Sequence, residues 1–315
     1  MSIATSVAAR SALLDKRAGM LAMIVAMALL PLGDSISKSL TAVATPMQVT
    51  IWRSLAQVAF FIPVAFVFRA QLRGPVLTPM SLMSALMILT VTLSLVTAFE
   101  AMPIATAIAI FFVEPLLLTL LAGLFLGEVP GPRRYAAVAV GLIGALIVIR
   151  PNLAAFGPVA LLPLLAALAY ALNMIIMRKA TRRQSALGFQ FGASLFAGVI
   201  VLIVQGARWA LLPGAAPSVL PGWVLLMVIG AGALAMMSFL LITFAFSRVE
   251  ASLLAPFQYL EIVGAIAVGF VIFGEMPDGM TLLGAAIILA SGAYVFHRER
   301  QNNVEAATAD AARDR

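Results

Sequence analysis

Apolar runs of about 20 residues recur along almost the whole chain, and this leaves few folds open. A run of that length crosses a hydrocarbon core of about 30 Å as a helix, and a helix satisfies its own backbone hydrogen bonds inside lipid. Ten segments fit, near residues 18–39, 46–68, 78–99, 102–126, 132–150, 158–178, 185–206, 221–245, 250–273 and 279–297. The joins between them are short and combine turn formers with charge, as in "RAQLRGP" and "RKATRRQ". Only 10% of residues are charged, 63% are hydrophobic and the mean hydropathy is +1.09, whereas a soluble domain is roughly a quarter charged. The chain therefore reads as an all-α integral membrane protein of ten transmembrane helices, with no soluble domain left over. Residues 298–315 are polar and read as a disordered cytoplasmic tail.

Basic residues set the expected orientation. With residues 1–17 placed as a cytoplasmic N-terminal segment, the inner side collects Lys16, Arg17, Arg69, Arg73, Arg133, Arg134, Arg178, Lys179, Arg182, Arg183 and Arg248, among others. The outer side keeps Lys38, Arg150 and Arg208. This is the asymmetry of the positive-inside rule, with both termini cytoplasmic. The net charge of +7 thus reports topology, and no nucleic-acid partner is expected. The first span is too long, and too far from the "AVA" at 42–44, to be a cleaved signal peptide.

Displacing the chain by 147 residues lays "FFVEPLLLTLLAGLFLGEVP" on "QYLEIVGAIAVGFVIFGEMP". Glu114 then meets Glu261, Gly127 meets Gly274, Glu128 meets Glu275, and Pro130 meets Pro277. A looser register sets Asp34 opposite Asn173. The halves are residues 18–150 and 158–297. Five spans per half is an odd number, so the second copy enters the membrane from the other side. Two inverted five-helix repeats are an architecture of secondary transporters, which bind solute near the midplane between repeats and expose it alternately.

These residues also carry a family resemblance. Glu114-Pro115, Gly127-Glu128 and the following "AAVAVGLIGALIVIRP", then Gly274-Glu275 with "LLGAAIILASGAYVF", resemble the EamA group of the drug/metabolite transporter superfamily. The resemblance implies ten helices in two repeats. Two departures stand out: "PLGDS" occupies the place of the Trp-Gly that many relatives have in the first span, and no proline follows Glu261. "DSISK" followed by "IWR" is closer to subgroups that include riboflavin, S-adenosylmethionine and metallophore transporters.

Charge at the centre of a membrane helix costs about 2.5–3.5 kcal/mol on insertion scales, so such residues should face the bundle interior or water. Glu114 and Glu261 each sit about twelve residues into a span, near mid-bilayer at about 1.5 Å rise per residue. They are candidates for solute binding or proton carriage, or are neutral acids hydrogen-bonded within the bundle. Pro115 and Pro256 break helical bonding beside these acids, either to form a half-helix site or to bend the helix for packing; Pro31 is a third candidate kink. Asp34 and Lys38 are spaced for an intrahelical pair, with Arg53 at similar depth. The three are either a structural charge cluster or an outer gate and anion anchor. Asn173 and Gln190 stand opposite them by symmetry. Trp52, Tyr170, Phe189, Gln258 and Tyr259 are candidates to line a site for a planar or amphipathic solute. The small residues Ala137, Gly141 and Ala145, with Gly284 and Gly292, predict close helix approach.

The expected function is secondary transport of a small organic metabolite across a bacterial-type cytoplasmic membrane, possible proton coupling included. Candidate solutes are a vitamin, a nucleoside derivative or an amino-acid-like compound. No cofactor or metal is expected, and the protein is read as a monomer or homodimer in the lipid bilayer. Besides a structural bundle without transport, the competing class is an intramembrane enzyme. It would have only Ser35 with Lys38 as a dyad, since the chain contains no cysteine and one histidine, His297.

Overall fold

A computed structural model describes residues 3–126, 132–211, 220–249, 254 and 257–294. Pro256, Gly127, Glu128 and the tail from residue 298 lie outside the described residues. No strand occurs among those described. The helices are α1 (Ile3–Thr41), α2 (Pro46–Val67), α3 (Pro79–Ala101), α4 (Ile104–Phe111), α5 (Glu114–Leu126), α6 (Pro132–Phe156), α7 (Leu162–Ala180), α8 (Ala186–Leu211) and α9 (Gly222–Arg248), then α10 (Leu260–Phe273) and α11 (Gly279–Tyr294). Seven helical stretches among the described residues are long and apolar enough to cross a membrane, and α10 and α11 are shorter apolar helices. One of the seven runs from Tyr135 to Ala180, where the sequence predicts two spans; a 3-10 turn at Gly157–Leu161 separates α6 from α7 within it. Large side chains such as Val271, Leu211 and Leu124 stand 75% exposed or more, the surface expected of a multi-pass membrane protein.

Helix starts follow local chemistry. Thr45 and Thr78 each cap the helix after them, accepting from the backbone N–H of Gln48 and Ser81, and Pro46 and Pro79 then occupy a position that needs no donor. The segment expected as one span over 102–126 is two helices. Pro115 has no N–H to continue the ladder, so the chain turns through Phe112 and Val113. There the bonds shorten to the i−3 type, from Val113 N to Ile110 O and from Leu116 N to Val113 O. Pro31, by contrast, lies inside α1 without interrupting it.

The arginine-rich joins meet one another. Ser185 N donates to Arg73 O at 2.8 Å, and Arg73 N donates to the Ser185 hydroxyl at 3.1 Å. Gly74 makes this possible: its φ is +79°, and a Cβ there would collide with the Arg183 carbonyl. The ends of α2 and α7 and the starts of α3 and α8 thus share one face, here the basic face. The C-terminal ends of α1 and α10 share the opposite one.

Helices α6 and α11 cross at glycines. A Cβ on Gly144 would lie 3.0 Å from the Gly284 carbonyl oxygen, and one on Gly284 would collide with Val148. Asn152 adds a hydrogen bond to Thr281 at 3.4 Å. The small-residue spacing therefore permits close backbone approach. Gly284→Leu should lower the unfolding midpoint in detergent, corresponding to about 1–3 kcal/mol of overpacking. Gly206→Ala, with nothing within 4 Å of the added methyl, should leave it unchanged or raise it. Equal midpoints in a thermal unfolding assay would show that the crossing tolerates bulk.

Candidate solute site

A cavity opens at mid-length between the two halves of the chain, enclosing about 1040 Å³ of empty space with its mouth included. Met23, Met27, Leu30 and Asp34 of α1 form one wall, with Arg53 and Gln57 of α2 beside them. Ile88, Val91, Thr92 and Leu95 of α3, and Phe239 and Ile242 of α9, add apolar and small polar surface. Glu114, Pro115, Tyr170, Gln258 and Glu261 complete the lining, with Phe111 and Phe112.

The helix break sets the chemistry of this centre. Glu114 occupies the first turn of α5 and Glu261 the first turn of α10, so each repeat brings an acid to the start of a half-helix. Glu114 is buried, and its Oε1 makes no hydrogen bond. Glu261 is half-buried. Neither forms an ion pair among the described residues. A buried carboxyl oxygen without a hydrogen bond is costly, and Glu114 shares its space with a second acid, Glu261.

Aromatic rings flank the acids. Phe111 stands edge-on to Tyr170 with centroids 5.8 Å apart, and Phe112 is tilted against Tyr259 at 5.9 Å. Rings so held offer faces and edges to a planar group. The Tyr259 hydroxyl is buried and unbonded behind Phe112, close to Gly292, and does not line the cavity.

The charges of α1 separate into two pairs, correcting the expected Asp34–Lys38 contact. Arg53 Nη1 donates to Asp34 Oδ1 at 3.2 Å and to the Ser37 hydroxyl at 3.1 Å. Lys38 turns away from Asp34 and pairs with Glu275 of the second half at 2.5 Å. The α1 spacing allows either partner, and a carboxylate arriving from α10 wins Lys38. The dyad required by an enzyme is not assembled, because the Ser35 hydroxyl donates to the Leu32 carbonyl at 2.8 Å.

Other candidates fall outside the main cavity. Trp52 packs against the apolar cluster of Leu40, Val49, Val96 and Val224, and Phe189 is wholly buried. Asn173 accepts from the Ser84 hydroxyl at 2.6 Å, bridging α7 to α3. Gln190 lines a smaller chamber with Ser54, Ser194 and Thr92, which shares Arg53 and Gln57 with the main one. Phe111, Phe112, Gln57 and Glu275 are not singled out as site candidates by sequence reasoning. The first two directly precede the proline break, and Gln57 lies one turn beyond Arg53, so their positions carry a signal.

Comparison with known proteins identifies relatives of the chain. The model of the EamA-like transporter family matches residues 17–150 and again 157–296. The chain is 32% identical over 199 residues to an S-adenosylmethionine uptake transporter of Rickettsia felis, covering 63% of this chain and 65% of that protein. It is 32% identical over 204 residues to a riboflavin transporter of Rhizobium johnstonii, covering 65% of each. It is 28% identical over 195 residues to a pseudopaline exporter of Pseudomonas aeruginosa, covering 62% of this chain and 66% of that protein. The matched stretches thus span slightly less than two thirds of these relatives. A solved crystal structure matches 91% of this chain and 98% of its own with a TM-score of 0.59 at 21% identity, a likeness of fold.

The Asp34–Arg53 pair has side-chain exposures of 8% and 13%, so removing one partner leaves a buried charge. Asp34→Asn or Arg53→Met alone should destabilise the protein by about 3–5 kcal/mol. The double variant should recover a large part of that loss in detergent unfolding. Additive losses would mean that the two residues act independently.

Proposed function

The chain belongs to the EamA-like transporter family, and we propose that it is a secondary transporter moving a small ring-bearing organic metabolite across the cytoplasmic membrane by alternating access. The observation that carries this reading is the pair of midplane acids, Glu114 and Glu261, lining one cavity beside Phe111 and Tyr170. Such a surface suits a flat ring with a positive or donor-rich group attached. The ring packs on the aromatics, and the charged group bonds to the Glu114 Oε1 that has no hydrogen-bond partner. Arg53 is engaged by Asp34 and shapes the wall.

The repeat spacing supports ten spans in two oppositely oriented halves, and the basic face supports a cytoplasmic placement for both termini. The relatives named for S-adenosylmethionine and riboflavin support a nucleoside- or vitamin-like solute. The alternating occupant of the acids is a proton: solute leaves as the acids take up protons, and their release readies the site for the next solute.

Solute counterflow in proteoliposomes tests this directly, after a thermal-shift screen of vitamins, nucleosides and amino-acid derivatives has supplied a ligand. Glu114→Gln and Glu261→Gln should each reduce counterflow at least about tenfold, the effect of losing a hydrogen bond to a charged group, with protein yield retained. Any residual rate should lose the pH dependence of the parent. Full transport with an intact pH profile in both variants would rule out a role for the acids in binding or coupling.

A further inference from the structure

The Gly-Glu element that closes α10 repeats one at the corresponding place in the first half, and the solute cavity makes no use of it. Its carboxylate reaches across to the other half of the chain. Lys38 Nζ donates to Glu275 Oε1 at 2.5 Å and to the Met102 carbonyl at 2.9 Å. Glu275 Oε2 accepts from the backbone N–H of Ile104 at 3.4 Å, and the ammonium stands 5.2 Å from the Phe273 ring centroid. One ion pair therefore joins α1, the junction between α3 and α4, and the end of α10.

Each of these elements also lines the cavity. On α1 the chain passes from Asp34 to Lys38, a rise of about 6 Å at 1.5 Å per residue. On α3 it passes from Leu95 to Met102, on α4 from Phe111 back to Ile104, and on α10 from Glu261 to Glu275. All four paths lead towards the face opposite the basic one, where they converge on the Lys38–Glu275 pair. We propose that Lys38 and Glu275 are the latch of a gate on that face, holding the cavity closed when paired and opening it when α1 and α10 part. The inference rests on the alternating-access reading above.

The backbone is built for this reach. Gly274 has φ +66°, and the N–H groups of Gly274 and Glu275 bond back to the Phe270 and Gly269 carbonyls at 3.0 Å each. The left-handed turn ends the helix and aims Glu275 across the mouth. A Cβ on Gly274 would meet nothing within 4 Å, so the turn itself requires the glycine. The two side chains are 13% and 24% exposed, which leaves the pair open to water and weaker than a sealed one. A latch that parts in every cycle needs that accessibility. Further along α1 the packing is apolar instead: Met23 and Met27 cluster with Ala245, Val249 and Leu254.

The chain has no cysteine, so a cysteine introduced at the cavity residue Thr92 reports on access without background. Full-length Thr92→Cys protein is placed in vesicles and labelled from each face with a membrane-impermeant maleimide. Lys38→Met or Glu275→Gln should speed labelling from the Lys38 face at least about fivefold, by raising the share of open protein. The charge swap Lys38→Glu with Glu275→Lys should return at least about half of the protection. Labelling within about twofold of the parent in both single variants would overturn the latch. So would a swap that stays as fast as the single variants, or an equal rise from both faces, which is general loosening. If Lys38→Met does not yield a monodisperse protein, the near-isosteric Glu275→Gln and the swap decide. Labelling needs no solute, so a failed transport assay with a positive labelling result would sink the proposed function and leave the latch standing.

Discussion

Charge inside a lipid-embedded bundle is costly unless it is paired or reaches water, and the arrangement of this protein follows from how its buried charges are answered. Arg53 answers Asp34 across α1 and α2, and Glu275 answers Lys38 across the two halves. Both ties use α1, which also packs along α9 and α10. Glu114 and Glu261 form no ion pair among the described residues, and both line the cavity.

The backbone obeys the same rule. The break between α4 and α5 exposes helix-end groups at mid-depth, which is tolerable where a cavity or neighbouring protein surrounds them. Phe99, Ile104, Ile108, Ile110, Phe112 and Val148 are buried together around the break, while Phe111 and Phe112 also line the cavity. The interrupted span is thus packed by neighbours on α3 and α6 as well as open to the cavity.

Much of this is legible in the order of the residues alone. Length and spacing of the apolar runs predict the helices, and the 147-residue displacement singles out Glu114 and Glu261, which the fold brings to one cavity. The small-residue spacing predicts close helix approach in both spans, and Gly284 meets Gly144 of α6. Partnership is less legible. Lys38 lies four residues from Asp34, the spacing of an intrahelical pair, yet bonds to Glu275, 237 residues away. A helical period records which residues share a face, and carries no information on what the facing helix presents. Asn173 and Trp52 illustrate the same gap: polar and aromatic character suggests a lining role, and Ser84 and an apolar cluster claim them instead. A break at Pro115 follows from the residue type, but its division of one span into two helices depends on the turn at Phe112 and Val113, where no residue type alone requires it.

The glycine crossing of α6 and α11 has a consequence for how such a protein changes over generations. Neither helix supplies a residue to the cavity lining, and their mutual fit rests on Gly144, Gly284 and the Asn152–Thr281 bond. Substitutions there act on how much folded protein a cell holds and leave the residues around the cavity in place, whereas Asp34 and Arg53 on the lining helices serve stability and the cavity wall at once. The packing of α6 on α11 can therefore change over generations separately from the cavity surface.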